Sequence, residues 1–161
     1  SQLALMPQRG RLNWNFPITV QALVALGRVN HSKSTCCDLE ATLQRVGISD
    51  LANRRLDSLS GGQQQRALLA KTLMSPANIF LLDEPCSSLD PPAREDFLLI
   101  VRQLADAGFC LFISSHDWGT SLNAYDKVIA IDKTLLASGT PEEVKEKLDS
   151  ISCMKGSYCC G

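Results

Sequence analysis

The stretch from Leu59 to Asp90 places a glycine turn, a helical pattern and an apolar strand in direct succession. Ser60-Gly61-Gly62 leads into a helical pattern that runs from Gln63 to about Met74, and Ser60 is a suitable N-cap. The first turn of a helix presents unpaired N–H groups and the positive end of the helix dipole. The turn therefore predicts a binding site for a phosphate group.

Two carboxylates follow the next element. Residues 79–82 (IFLL) form a continuous apolar run, which predicts a strand buried on both faces. The run ends in Asp83 and Glu84, at the position where a parallel strand delivers side chains to a ligand crevice. Ser88-Leu89-Asp90 then turns the chain, and a helix is predicted from Pro91 to about Ala107.

A second apolar run predicts another buried strand over residues 109–113. It leads into Ser114-Ser115-His116-Asp117, where Asp117 is predicted to cap a short helix. A single histidine is most often structural. The position of His116 at the end of a core strand, one unit after the carboxylate strand, instead favours a functional role.

The remaining patterns predict three helices and three strands. The strands are the end of a strand at residues 3–5, a strand at 128–131 and its hairpin partner at 135–139. The helices are Val20 to about Arg28 capped by Thr19, a helix capped by Asp38 that runs through Val46, and a terminal helix from Pro141 to Leu148. The predicted class is therefore α/β with a mostly parallel sheet.

Composition narrows the possible partners. The 161 residues include 45% hydrophobic and 20% charged residues, as in ordinary globular proteins. A net charge of −1 gives no electrostatic reason to expect nucleic acid as a partner. No apolar run approaches the roughly 20 residues that span a bilayer. The seven cysteines show no C-x-x-C spacing, so free, reduced thiols are expected.

Four segments in this order, LSGGQQQR, IFLLDEP, SSLD and SSHD, resemble the nucleotide-binding subunit of an ATP-binding-cassette (ABC) transporter. The likeness extends from about Met6 to about Leu148. It implies a P-loop NTPase-like ABC ATPase core with a helical subdomain, N-terminally incomplete. Residues 1–8 would hold the end of a core strand and the Q-loop, and 9–58 the helical subdomain. Residues 59–149 would be the ATPase core, and 150–161 a loose tail.

The resemblance implies hydrolysis of ATP with Mg²⁺. Asp83 would hold Mg²⁺, and the side-chain carbonyl of Gln8 would contact the metal ion or the attacking water. Glu84 would act as general base on that water. His116 would bind the γ-phosphate and position the water, and all four residues would act on the same nucleotide.

The glycine turn would serve a different nucleotide. In the family, the signature residues Leu59, Ser60, Gly61, Gly62 and Gln63 contact the ATP held by the opposite subunit. The resemblance therefore implies a second ABC ATPase subunit, paired head to tail. Asp90 would lie at that contact.

The resemblance also implies membrane partners. Residues 9–58 would dock on transmembrane permease subunits on the inner, cytoplasmic face of the membrane, with Trp14 and Phe16 as candidate contacts or core residues. A solute-binding protein would be an indirect partner. The run NWNFPITVQALVALGR is similar to subunits that power uptake of manganese, zinc or iron chelates.

One family motif does not occur. The chain contains no G-x-x-x-x-G-K-[ST] phosphate loop, and no glycine is followed by lysine. A truncated fragment or a naturally incomplete relative would explain this, and a fragment is expected to be inactive and poorly soluble alone. Two other functions stay open: a non-transport ABC ATPase and a catalytically dead regulatory partner of an intact subunit.

Overall fold

The computed structural model describes residues 3–28, 38–116 and 124–154. The chain divides into two compact units, Ser1–His116 and Asp117–Gly161. The predicted cap at Asp117 lies outside the described residues. Within those residues, no helix has both the length and the apolar character needed to cross a membrane.

The first unit contains a parallel sheet of three strands in the order β1 (Leu3–Met6), β2 (Ile79–Leu82) and β3 (Cys110–Ile113). Leu5 pairs with Leu81, and Leu81 pairs with Phe112. Parallel strands place their carboxyl ends at one edge, so the residues after all three strands lie along the same edge of the sheet. The predicted parallel sheet is therefore present.

In the described part of this unit, four α-helices accompany the sheet. They are α1 (Val20–Ala25), α2 (Leu39–Arg45), α3 (Gly61–Leu73) and α4 (Pro91–Asp106). Thr19, Asp38 and Ser60 cap the first three as predicted, and each accepts a hydrogen bond from a first-turn N–H. Asp90 caps α4 in the same way, which was not predicted. The first predicted helix is shorter than expected, because residues 26–28 tighten into a 3₁₀ turn.

The core of this unit lies on one face of the sheet. Met6, Phe80 and Leu82 are fully buried there, together with Leu68 and Leu69 of α3. Alternate residues of each strand point to the other face. The prediction that β2 and β3 are buried on both faces is wrong: β2 alternates between buried and half-buried residues, and β3 between exposed and half-buried ones.

The other face is an apolar surface that we call the open sheet face, formed by Leu3, Leu5, Ile79, Leu81, Cys110 and Phe112. Leu5 is 57% exposed and Phe112 is 53% exposed. Both lie in one row with Leu81, because the register pairs these three positions. Contiguous apolar area of this kind promotes association in water.

We expect a Leu5→Thr/Phe112→Thr double variant of the 161-residue chain to self-associate less than the parent chain. Threonine is β-branched and so suits a strand, and it removes apolar area from the open sheet face. Light scattering against concentration measures the effect. The control is Leu99→Thr, since Leu99 lies on α4 and is 62% exposed. Equal association of all three proteins would contradict a role for the face.

Residues 124–154 of the second unit contain an antiparallel hairpin and a helix. Strand β4 (Val128–Asp132) pairs with β5 (Thr134–Gly139), as predicted, and α5 runs from Pro141 to Met154. Its small core contains Ala130, Ala137 and Val144. The helix extends six residues past its predicted end at Leu148, so the beginning of the expected loose tail is helical. No proline or glycine interrupts this stretch.

Candidate functional site

Asp83 and Glu84 lie at the carboxyl edge of the parallel sheet, directly after β2. The N–H of Asp83 donates to the carbonyl oxygen of Met6 at 3.1 Å, which continues the pairing with β1. Glu84 has φ +45°, in the left-handed region that few non-glycine residues adopt. The chain therefore turns sharply at Glu84 and leaves the sheet there.

The carboxylate of Glu84 is held from two sides. The Gln8 amide nitrogen Nε2 donates to Glu84 Oε2 at 3.1 Å, and His116 Nδ1 lies 3.2 Å from Glu84 Oε1. The side chain of Glu84 is 33% exposed and that of His116 is 72% exposed. Gln8, Glu84 and His116 follow three different strands, and their side chains thus meet at the Glu84 carboxylate, which remains open to solvent.

The signature turn forms the start of α3. Ser60 Oγ accepts from the N–H of Gln63 at 3.3 Å, and Gln63 Oε1 accepts from the N–H of Ser60 at 3.0 Å, a reciprocal capping box. Leu59 is buried beneath the turn. The N–H groups of Gly61 and Gly62 lie in the first helical turn, where no intrahelical acceptor exists. The turn can therefore donate to an anion.

The start of α4 packs against the signature turn. Asp90 Oδ1 accepts from the N–H of Ala93 at 3.2 Å and so caps α4. A Cβ atom placed on Gly62 would lie 3.2 Å from the Cβ of Ala93, closer than most such contacts. A side chain at position 62 would therefore require the two helix starts to move apart by a few tenths of an ångström. Asp90 and residues 59–63 thus form a second group of site residues. It shares no residue with the first group, which surrounds the carboxylate of Glu84.

Two residues near these groups were not predicted as site residues. Ser114, the first residue after β3, hydrogen-bonds both Asp83 and the backbone of Glu84. The guanidinium of Arg9 lies against Gly61, because a Cβ atom there would be 2.6 Å from Arg9 Nη1. Ser114 could have been predicted from its position after β3, because that position lies opposite Asp83 in a parallel sheet.

The donor set fits Mg²⁺ held by few protein ligands. Magnesium is commonly bound by one or two carboxylates, waters and substrate phosphates, without a complete protein cage. Asp83 offers such a carboxylate, and one of its oxygens, Oδ1, accepts from Ser114 at 3.0 Å. Among the described residues, no group of three or more His, Cys, Asp or Glu side chains could hold a metal ion. The arrangement therefore suits a cation that arrives with a nucleotide.

Comparison with known sequences identifies the class. Residues 2–87 match the family described as ABC transporter, which covers more than half of the chain. The protein belongs to this family. Its fold is shared with the solved structure of MJ1267, an ATP-binding cassette of an ABC transporter. That match has a TM-score of 0.82 at 21% identity and covers 96% of this chain and 67% of that one.

Sequence relatives belong to metal transport systems. A Chlamydia trachomatis protein named "Probable metal transport system ATP-binding protein" is 37% identical over 153 residues, which cover 91% of this chain and 59% of the relative. The Cereibacter sphaeroides "Zinc import ATP-binding protein ZnuC" is 32% identical over 144 residues, covering 89% of this chain and 58% of the relative. The chain thus spans less than two thirds of the length of these curated relatives.

Proposed function

We propose that this chain is part of an ATP-hydrolysing subunit that drives import of a metal ion or iron chelate across a membrane. The main support is the meeting of Gln8 and His116 at the Glu84 carboxylate, 3.1 and 3.2 Å away. A polar group of this composition at the carboxyl edge of a parallel sheet suits phosphate chemistry. The similarity to a zinc import subunit and a metal transport subunit supports the cargo class.

In the proposed reaction, Glu84 accepts a proton from the water that attacks the γ-phosphate. His116 and Gln8 orient this carboxylate and the water, and His116 reaches the γ-phosphate. Asp83 would hold Mg²⁺, which would offset the negative charge of the phosphates. Phosphoryl transfer depends largely on positioning and charge stabilisation, so each of these contacts contributes to the rate.

The signature turn acts on a second nucleotide in this proposal. Ser60 and the N–H groups of Gly61 and Gly62 bind the γ-phosphate of ATP held by a second ABC ATPase subunit, paired head to tail. Asp90 lies at this dimer contact and caps α4, whose Ala93 approaches Gly62 of the turn. The unpaired donors of the first helical turn support this assignment.

Permease subunits are the proposed membrane partners, contacted from the cytoplasmic side, with a solute-binding protein as an indirect partner. Phe16 is the better candidate for the docking contact, because it is 55% exposed. Trp14 is half-buried against the core and its indole N–H donates to the carbonyl oxygen of Arg9 at 3.1 Å. This hydrogen bond supports a structural role for Trp14.

The test of the proposed function is reconstitution of the transporter that contains this chain in lipid vesicles. ATP hydrolysis coupled to uptake of Mn²⁺, Zn²⁺ or an iron chelate is expected. Hydrolysis without any coupled uptake would favour a non-transport ABC ATPase. A complex that hydrolyses ATP and transports only when it also contains an intact ABC subunit would favour a regulatory role for this chain.

The 161-residue chain by itself is expected to show no micromolar binding of MgATP. Its residues include no phosphate loop, and the signature turn alone offers only a few donors to a highly charged ligand. Isothermal calorimetry measures this, with an intact ATP-binding subunit as the positive control. Micromolar binding by the 161 residues would show that they hold a nucleotide site of another kind.

A further inference from the structure

The side chain of Ser114 hydrogen-bonds at both adjacent acids. Its Oγ accepts from the backbone N–H of Glu84 at 2.9 Å and donates to Asp83 Oδ1 at 3.0 Å. Its own N–H donates to the carbonyl oxygen of Leu82 at 3.0 Å. The last bond fixes Ser114 opposite Asp83, one position beyond the paired ends of β2 and β3.

The first of these bonds acts on an unfavourable backbone conformation. Glu84 has φ +45°, and a residue with a side chain is held there only where its surroundings specify it. The hydroxyl of Ser114 supplies an acceptor for the Glu84 N–H that the strand pairing no longer provides. Ser87 restrains the other side of the same residue, since its Oγ donates to the carbonyl oxygen of Glu84 at 3.1 Å. The backbone of Glu84 is therefore fixed at both its N–H and its C=O.

The second bond acts on the neighbouring carboxylate. A hydroxyl has one proton, and Ser114 directs it at Asp83 Oδ1 rather than at the Leu82 carbonyl oxygen, which lies 3.5 Å away. The bond selects one rotamer of Asp83 and occupies one of its oxygens. Oδ2 is left for a cation or a water bound to it.

We infer that Ser114 is a positioning residue for ATP hydrolysis, which sets the backbone of the general base and the orientation of the metal ligand through one hydroxyl group. The inference rests on the proposed function and deepens it. Ser114 itself does not touch the nucleotide. It acts through Glu84, whose carboxylate must meet Gln8 and His116, and through Asp83.

A serine at this position could also serve only to end strand β3. Such a role would make Ser114→Ala less stable without a specific effect at Glu84 or on turnover. The hydroxyl itself is tested by Ser114→Thr, because threonine keeps an Oγ and position 114 is exposed, with room for a methyl group. The matched control is Ser150→Ala, which removes a serine hydroxyl that donates to the Lys147 carbonyl oxygen in the second unit.

The first measurement is hydrogen–deuterium exchange in the peptide that contains Glu84, on the 161-residue chain without nucleotide. Loss of one hydrogen-bond acceptor should speed exchange of the Glu84 N–H roughly five- to tenfold in Ser114→Ala. Ser114→Thr and Ser150→Ala should exchange as the parent chain does in this peptide. Unchanged exchange in Ser114→Ala would overturn the assigned hold on Glu84.

The second measurement is ATP hydrolysis by the assembled transporter. For Ser114→Ala, kcat should fall about tenfold with the KM for ATP changed less than about twofold, and Ser114→Thr should recover most of kcat. A kcat of Ser114→Ala within twofold of the parent, or an equal loss in Ser114→Thr, would overturn the inference.

The Glu84→Gln variant distinguishes failure of the positioning role of Ser114 from failure of the proposed role of Glu84. If Glu84→Gln abolishes hydrolysis and Ser114→Ala does not alter it, the positioning role fails and the proposed function stands. If Glu84→Gln hydrolyses ATP as the parent does, the proposed role of Glu84 fails, and the exchange measurement alone decides whether Ser114 holds its backbone.

Discussion

Replacing Glu84 with glutamine is expected to reduce ATP hydrolysis by the assembled transporter about 100-fold or more while nucleotide binding persists. Glutamine has the size of glutamate and can still hydrogen-bond Gln8 and His116, which lie 3.1 and 3.2 Å from the carboxylate oxygens. It cannot accept the proton of the attacking water. General-base catalysis by one positioned group typically accounts for about 10²–10⁴ in rate.

Phosphate release and equilibrium binding of labelled ATP measure the two effects separately. The matched control is Glu142→Gln in the first turn of α5, an exposed glutamate of the second unit, which should hydrolyse ATP at the parent rate. Turnover of Glu84→Gln at the parent rate would remove Glu84 from the role of base. Loss of binding together with turnover would indicate that Glu84 supports the structure of the nucleotide site instead.

Replacing Phe80 with alanine is expected to lower the free energy of unfolding by about 3–5 kcal/mol. Phe80 is fully buried in the middle of β2, and its ring meets the ring of Phe109 edge to face, with centroids 5.6 Å apart. The change removes apolar contact area and leaves a cavity between the sheet and its helices. Since small domains are stable by only about 5–15 kcal/mol, much of the chain's stability would be lost.

Urea denaturation followed by circular dichroism measures this change. Leu99→Ala is the control, because Leu99 is 62% exposed on α4 and its loss should cost less than about 0.5 kcal/mol. An effect of Phe80→Ala below about 1 kcal/mol would mean that the core collapses around the missing ring, or that Phe80 is not central to it.

The elements of the fold follow from local patterns, but the second face of the sheet does not. Apolar runs predict β2 and β3, the capping residue Ser60 predicts where α3 begins, and the prolines at 91 and 92 predict where α4 begins. The apolar character of Leu5 and Phe112 is equally compatible with burial and with exposure. The sequence of a strand does not show whether other polypeptide segments pack on its second face.

The candidate site divides in the same way. The order of strands and the acids at their ends predict that Asp83, Glu84 and His116 lie at one edge, and the resemblance adds Gln8. The left-handed backbone of Glu84 is not predictable from its type, since glutamate rarely adopts it. The two side-chain hydrogen bonds of Ser114 depend on the register of Leu82 with Ile113, which joins residues far apart in the chain.

Cys110 allows coverage of the open sheet face to be measured by chemical labelling of its thiol. Its thiol is unbridged and exposed in the same row as Leu3 and Ile79, whereas Cys86, the other cysteine whose side chain the structure describes, is half-buried. Maleimide labelling of Cys110, quantified by peptide mass spectrometry, would therefore slow when any polypeptide settles on these strands. The labelling rate of this native cysteine thus reports whether another polypeptide covers the sheet, without an engineered label.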